Sequence, residues 1–216
     1  SEEKLFDCLT QWNTLFEQHH VIHSWLPMDQ RDKEKLTEMR HSLPEGINNY
    51  VRSKGTHKVA TDIAVPSERF AEIMRFHVEV GLDGQINRVA KDLGVMHDKE
   101  FRGLTLADKV RFVEDRLKIA VGQSSTSTGT ETIDPYYDSL ADRIDAARNL
   151  SKTEVAYAIF GHIGDFHLHF NFLPRNLNEL DQMKRASSRL AKRGVELRGT
   201  ITAEHGVGKK TYTDDG

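Results

Sequence analysis

Val155-Ala156-Tyr157-Ala158-Ile159-Phe160-Gly161-His162-Ile163-Gly164-Asp165-Phe166-His167-Leu168-His169-Phe170-Asn171-Phe172-Leu173 is the run of residues on which the fold turns. It reads as two strands, Val155 to Phe160 and Phe166 to Leu173, joined by a reversal at Gly164-Asp165 that the glycines make possible. Side chains of a strand alternate between its faces, so His167, His169 and Asn171 share one side while Leu168, Phe170 and Phe172 pack on the other. His162 stands an odd number of residues from His169 and cannot share its face within one straight strand. The reversal makes the two histidines cross-strand neighbours, near enough for both imidazoles to reach one ion.

Working outward, a helix from Glu179 to Arg193 closed by Gly194 follows, then a strand from Arg198 to Ala203. Upstream, His57 to Val65 alternates as a strand with Val59, Ile63 and Val65 on one face and Ala60, Asp62 and Ala64 on the other. Pro66-Ser67-Glu68 starts a helix whose buried stripe is Phe70, Ile73, Met74, His77 and Val78, and Gly81 is positioned to end it. Two such units predict an α+β fold, a mainly antiparallel sheet with helices packed on one face.

Two further helices open the chain. Leu5, Leu9, Trp12, Leu15 and Phe16 mark the first, and Asp29 to Leu43 forms the second, broken at Pro44-Glu45-Gly46; the apolar stretch Val21 to Leu26 separates them. Between Leu82 and Leu150 the pattern changes. Leu106, Val110, Val113 and Leu117 mark one amphipathic helix, Leu140, Ile144 and Ala147 another, and the polar run Gln123 to Thr132 joins them. This segment is read as an inserted, solvated helical excursion with a mobile tip.

The 216 residues suffice for one well-buried core or two small ones. Thirty basic against thirty-three acidic side chains give a net charge of −3 with no single-sign run, which argues against nucleic-acid or membrane-surface binding and for small-molecule work. Cys8 is the sole cysteine, so no internal disulfide and no thiolate cluster can form, and a reducing compartment is expected. No signal-peptide pattern and no membrane-spanning run is visible, which predicts a soluble cytoplasmic protein, with peripheral attachment to the inner membrane as the other placement. The chain opens directly on a helical pattern and stops just past its most informative motif, so a fragment of a longer protein is expected.

That motif is Gly199-Thr200-Ile201-Thr202-Ala203-Glu204-His205-Gly206-Val207-Gly208. Thr200, Thr202 and Glu204 fall on one face, and a bend at Gly206 can swing His205 toward the same cavity. With His162 and His169, Glu204 completes three ligands that leave coordination positions open, as catalytic sites do; zinc, manganese and iron all suit such a set. Gly206-Val207-Gly208-Lys209-Lys210 does not make a phosphate loop. Ala203 stands where its first glycine belongs and Lys210 where a magnesium-binding hydroxyl would be, so both lysines are read as surface charges.

Gly161-His162-x-Gly164-Asp165, then Leu168-His169-x-Asn171, then Thr202 to Gly208, together with Lys58 to Pro66, resembles the C-terminal domain of FAD-linked oxidases. That family includes D-lactate, glycolate and D-2-hydroxyglutarate dehydrogenases, with a preceding flavin domain of the vanillyl-alcohol-oxidase type. The resemblance implies a ferredoxin-like substrate or cap domain of a dehydrogenase that oxidises a D-2-hydroxy acid to the 2-oxo acid by hydride transfer to FAD. It implies His162, His169 and Glu204 as ligands of a divalent metal, Asn171 and His205 as pocket residues beside it, and His205 as the general base. Arg40 resembles the arginine that receives the substrate carboxylate, with Lys58 a second candidate for that duty, and Asp165 is expected to support the turn. FAD would be held mainly by the chain's own N-terminal flavin domain, because no segment here offers a glycine-rich pyrophosphate cradle; the fragment alone would be inactive, and the electron acceptor is unknown. Two departures stand out: Phe166-His167 where the family usually has Gly-Asn, and the segment from Leu82 to Leu150, without a recognised counterpart. A flavin-free mononuclear metalloenzyme, either a non-haem iron oxygenase or a hydrolase, is the alternative, and a docking module without catalysis is a third reading.

Overall fold

The structure, a computed structural model, describes residues 2–18, 27, 29–96, 99–118 and 134–204. At its centre lies β4 (His167–Phe172), antiparallel on one side to β3 (Tyr157–His162) and on the other to β1 (Val59–Ala60) and β2 (Ile63–Ala64). Ala60 pairs with Asn171 and Ala64 with His167, the same register, so β1 and β2 are one extended strand whose ladder lapses at Thr61-Asp62. Even there the Thr61 N–H donates to the Phe170 carbonyl at 2.9 Å.

One face of the sheet is apolar. Leu168, Phe170, Phe172 and Ile63 bury against α3 (Phe70–Asp92) and α7 (Leu177–Glu196) through Ile73, Val80, Met183 and Leu190. Each such side chain contributes about 1.5–3 kcal/mol when removed from water. The sequence predicts α+β with helices on one face of an antiparallel sheet, and that is the fold.

α3 does not stop at Gly81 but runs on to Asp92. Gly81 serves packing instead: a Cβ there would lie 2.5 Å from the Tyr157 ring, so the glycine's helix-propensity cost of about 1 kcal/mol is offset by a close helix–sheet contact. The extension of α3 supplies Leu82, Ile86, Val89 and Ala90 to a second core, shared with α4 (Lys99–Arg102), α5 (Leu106–Leu117) and α6 (Pro135–Leu150). Thr105 and Asp134 cap α5 and α6 as acceptors for the Asp108 and Tyr136 N–H groups. The helical excursion is therefore packed rather than merely solvated; its polar tip, Gln123 to Thr132, lies outside the described residues.

α1 (Glu2–Gln18) carries the predicted first pattern, and α2 (Gln30–Ser53) starts at the Asp29 cap. α2 passes through Pro44 instead of breaking. The flanking Leu43 and Glu45 are exposed, so water can solvate the carbonyl freed by the missing N–H, and Ile47, Val51 and Tyr50 pack against Leu173, Ala158 and Phe160 beyond the proline. Val21 to Leu26 falls outside the described residues. The predicted strand Arg198 to Ala203 reduces to a single bridge between Ala64 and Thr200. Arg198 is left-handed at φ 61°, and the Thr200 hydroxyl takes the Thr202 N–H at 3.2 Å, a local bond that competes with the ladder.

Candidate metal centre

The face of the sheet opposite the main core carries His162, His167 and His169. His162 pairs directly with His167, and Phe160 with His169, so the turn Ile163–Asp165 brings His162 diagonal to His169 with ring centroids 5.7 Å apart. Gly161 is what lets the strands close here, because a Cβ at that position would run into the His167 carbonyl oxygen and sit 3.0 Å from the Leu168 Cα. Asp165 itself is exposed in the turn.

Glu204 arrives from the other edge. The segment from Thr200 lies beside β2, with Thr200 N–H donating to the Ala64 carbonyl at 2.8 Å and Ala203 N–H to the Asp62 carbonyl at 3.2 Å. This sets Glu204 Oε2 at 3.4 Å from His162 Nε2 and 3.3 Å from His169 Nε2. Two donors bound to one tetrahedral ion at about 2.0–2.1 Å are separated by roughly 3.3–3.4 Å, so these spacings fit a shared ion. Donor atoms of His162, His167, His169 and Glu204 all lie within 4.8 Å of one another. The three predicted ligands come together, and His167 joins them. A borderline-soft divalent ion suits imidazole nitrogen and carboxylate oxygen, so the residues fit the group.

Asp62 is the residue sequence reasoning passed over. It is fully buried between the lapse of β1 and β2, with His167 Nε2 2.6 Å from its Oδ1, His169 Nδ1 3.7 Å from the same oxygen, and the Glu204 N–H donating to its Oδ2 at 3.0 Å. The signal was available: a carboxylate in a strand whose neighbours are Val59, Ala60, Ile63 and Ala64 is costly unless it is engaged. His167 was placed on the correct face, but its capacity as a donor to the ion was not drawn.

Asn171 lies 1% exposed on the same face, and its Nδ2 has no acceptor among the described residues. A buried amide nitrogen of this kind calls for an acceptor that the described residues do not supply. Lys58 is half-buried just before β1; strand alternation puts it on the face of Ala60 and Asp62, about 13 Å along from Asp62. Arg40 is exposed on α2, on the same helix face as Ile47 and roughly 10 Å of helix rise before it. His205, Lys209 and Lys210 lie outside the described residues. At the Asn171 end, Tyr50 of α2 donates to Glu154 at 3.0 Å, and burial with that bond pushes its phenol up to about 12, keeping it neutral.

A histidine-and-glutamate cluster on the sheet face opposite the main core marks an α+β domain with a candidate metal site. The chain belongs to the family described as FAD linked oxidases, C-terminal domain, which it matches over residues 2–80 and 87–212. The second matched stretch takes in α4, α5 and α6. Among curated proteins it is similar to the glycolate oxidase subunit GlcD of Bacillus subtilis (strain 168), 34% identical over 73 residues, which cover 32% of this chain and 16% of that protein. The matched region thus spans about a sixth of that relative's length. No solved structure matches significantly. No helix among the described residues is long and apolar enough to cross a membrane.

Proposed function

We propose that this chain is the substrate- and metal-binding domain of a flavin-dependent dehydrogenase that oxidises a D-2-hydroxy acid to the 2-oxo acid. The observation that carries the reading is the convergence of His162 and His169 on one oxygen of Glu204, at 3.4 and 3.3 Å, in a chain of the FAD-linked oxidase family. The family match also favours this reading over a flavin-free metalloenzyme, for which the ligand set alone would serve equally well.

His162, His169 and Glu204 would hold a divalent ion, with zinc, manganese and iron as candidates. When bound, that ion supplies a Lewis acid that makes a nearby hydroxyl easier to deprotonate. FAD, held mainly by an N-terminal flavin domain, supplies the hydride acceptor. Asn171 would offer its Nδ2, which has no acceptor among the described residues, to a substrate oxygen. Arg40, with Lys58 as the second candidate, would take the substrate carboxylate and so orient the carbon that loses hydride. His205 follows Glu204 directly and would accept the hydroxyl proton as general base. The electron acceptor that reoxidises the flavin is a separate partner.

The test is Glu204→Ala in the complete protein. Bound metal should be lost, and kcat/KM for D-lactate or glycolate should fall about 100-fold or more, since the carboxylate among the proposed ligands is gone. Flavin that still bleaches at the normal rate in a variant with normal metal content would sink the assignment.

A further inference from the structure

We propose that His167 is a fourth ligand of this metal centre and that Asp62 is the positioning residue that holds it there. The inference rests on the reading that His162, His169 and Glu204 bind a divalent ion, and it goes further by closing the ligand set and narrowing the ion.

His167 Nε2 lies 2.6 Å from Asp62 Oδ1, and the carboxylate is wholly buried. A carboxylate accepts, so Nε2 carries the hydrogen, and the lone pair of the neutral ring is left on the other nitrogen, Nδ1. An imidazole whose second nitrogen donates to a carboxylate is the usual form of a metal-bound histidine, because that bond fixes the tautomer and the ring orientation and raises its basicity. The ring already stands in the cluster: its centroid is 4.3 Å from that of His169 and 5.5 Å from that of His162, and one of its ring nitrogens falls within the 4.8 Å span that includes Glu204. A single ion would hold such a set at bond lengths of about 2.0–2.1 Å.

Asp62 serves more than His167. Its Oδ2 accepts the Glu204 N–H at 3.0 Å and its carbonyl accepts the Ala203 N–H at 3.2 Å, so the segment that delivers the carboxylate ligand is tied to the same residue. His169 Nδ1 stands 3.7 Å from Oδ1, too long for a hydrogen bond but close enough to feel its charge. One buried carboxylate therefore adjoins His167, His169 and the backbone of Glu204. Three imidazoles with one carboxylate make a nitrogen-rich set, which suits zinc over the oxygen-preferring manganese.

The experiment uses the complete protein, stripped with a chelator and reloaded with zinc. X-ray absorption at the zinc edge counts coordinated imidazoles; three are expected in the wild type and two in His167→Asn. Zinc affinity, measured by chelator competition, should fall about 10–100-fold in both His167→Asn and Asp62→Asn, with the folded state checked by circular dichroism. Two imidazoles in the wild type, or His167→Asn binding zinc as tightly as wild type, overturns the fourth ligand; wild-type affinity in Asp62→Asn overturns the positioning role. If either result comes while Glu204→Ala abolishes zinc binding, the three-ligand reading stands without this one. A wild type that takes up no zinc, manganese or iron defeats both. Should His167→Asn fail to fold, the wild-type imidazole count decides alone.

Discussion

Phe166 turns the corner between β3 and β4 in a left-handed conformation, φ 53° and ψ 38°, where a side chain with a Cβ costs about 1–2 kcal/mol. Its ring recovers part of that by meeting Phe70 edge-on at 5.6 Å, a contact of about 0.5–1.5 kcal/mol. Phe166→Gly should therefore change the unfolding free energy by less than about 1 kcal/mol, while Phe166→Ala, which keeps the backbone cost and loses the ring, should be less stable than the glycine variant by roughly 1 kcal/mol. Urea denaturation of the two variants side by side checks the difference; alanine matching or exceeding glycine would contradict it. The histidines of this corner were legible in the sequence because a strand's period of two and a glycine-bracketed turn leave few ways to arrange them. For Asp62 the apolar neighbours signal only that the carboxylate must be engaged; its partners depend on where the strand from His57 to Val65 pairs, and register is a property of the assembled sheet.

Glu179, in the first turn of α7, ties two helices to the strand ends. Its carboxylate takes Arg88 Nη2 at 2.9 Å and Arg175 Nη2 at 2.8 Å, and Arg88 also donates to the carbonyls of Val155 and Leu173, both at 2.6 Å. Burial pushes the carboxyl up, but the hydrogen bonds from Arg175 and the charge of Arg88 outweigh it and hold the group below the usual glutamate value. Glu179→Ala would leave the Arg88 guanidinium buried without its counter-charge, and we expect a loss of about 3–5 kcal/mol in chemical denaturation. A loss under about 1 kcal/mol would show that water replaces the carboxylate freely. Among the elements, the long amphipathic helices were the most legible, because their apolar stripes repeat over several turns. Boundaries at Gly81 and Pro44 were misplaced for a common reason: local propensity was overruled by contacts with Tyr157 and with the Leu173 cluster, which no single stretch of sequence displays.

His77 lies fully buried in α3, donating through Nδ1 to the Ile73 carbonyl at 2.7 Å and facing Phe170 with ring centroids 5.6 Å apart. Burial, partly countered by that bond, pushes its pKa down from 6.5 to about 4. Between those values the unfolded chain binds a proton that the folded protein refuses, so stability falls as pH drops from about 6.5 toward 4, by roughly 3 kcal/mol in all. Unfolding free energies at pH 7, 6 and 5 for the wild type and His77→Phe should diverge in slope, the variant lacking this acid-driven loss; parallel curves would refute it. The sheet core that encloses His77 and the helical core around Ile86 and Val110 both draw on α3. Its second half also carries Gln85, which accepts the Ala156 N–H at 2.7 Å and donates to the Glu154 carbonyl at 3.2 Å, just ahead of Arg88. Anyone trimming this protein to a minimal sheet by excising Leu82 to Leu150 would thus amputate the two side chains, Gln85 and Arg88, that anchor the root of the histidine hairpin, and the shortened chain would surrender the geometry it was meant to isolate.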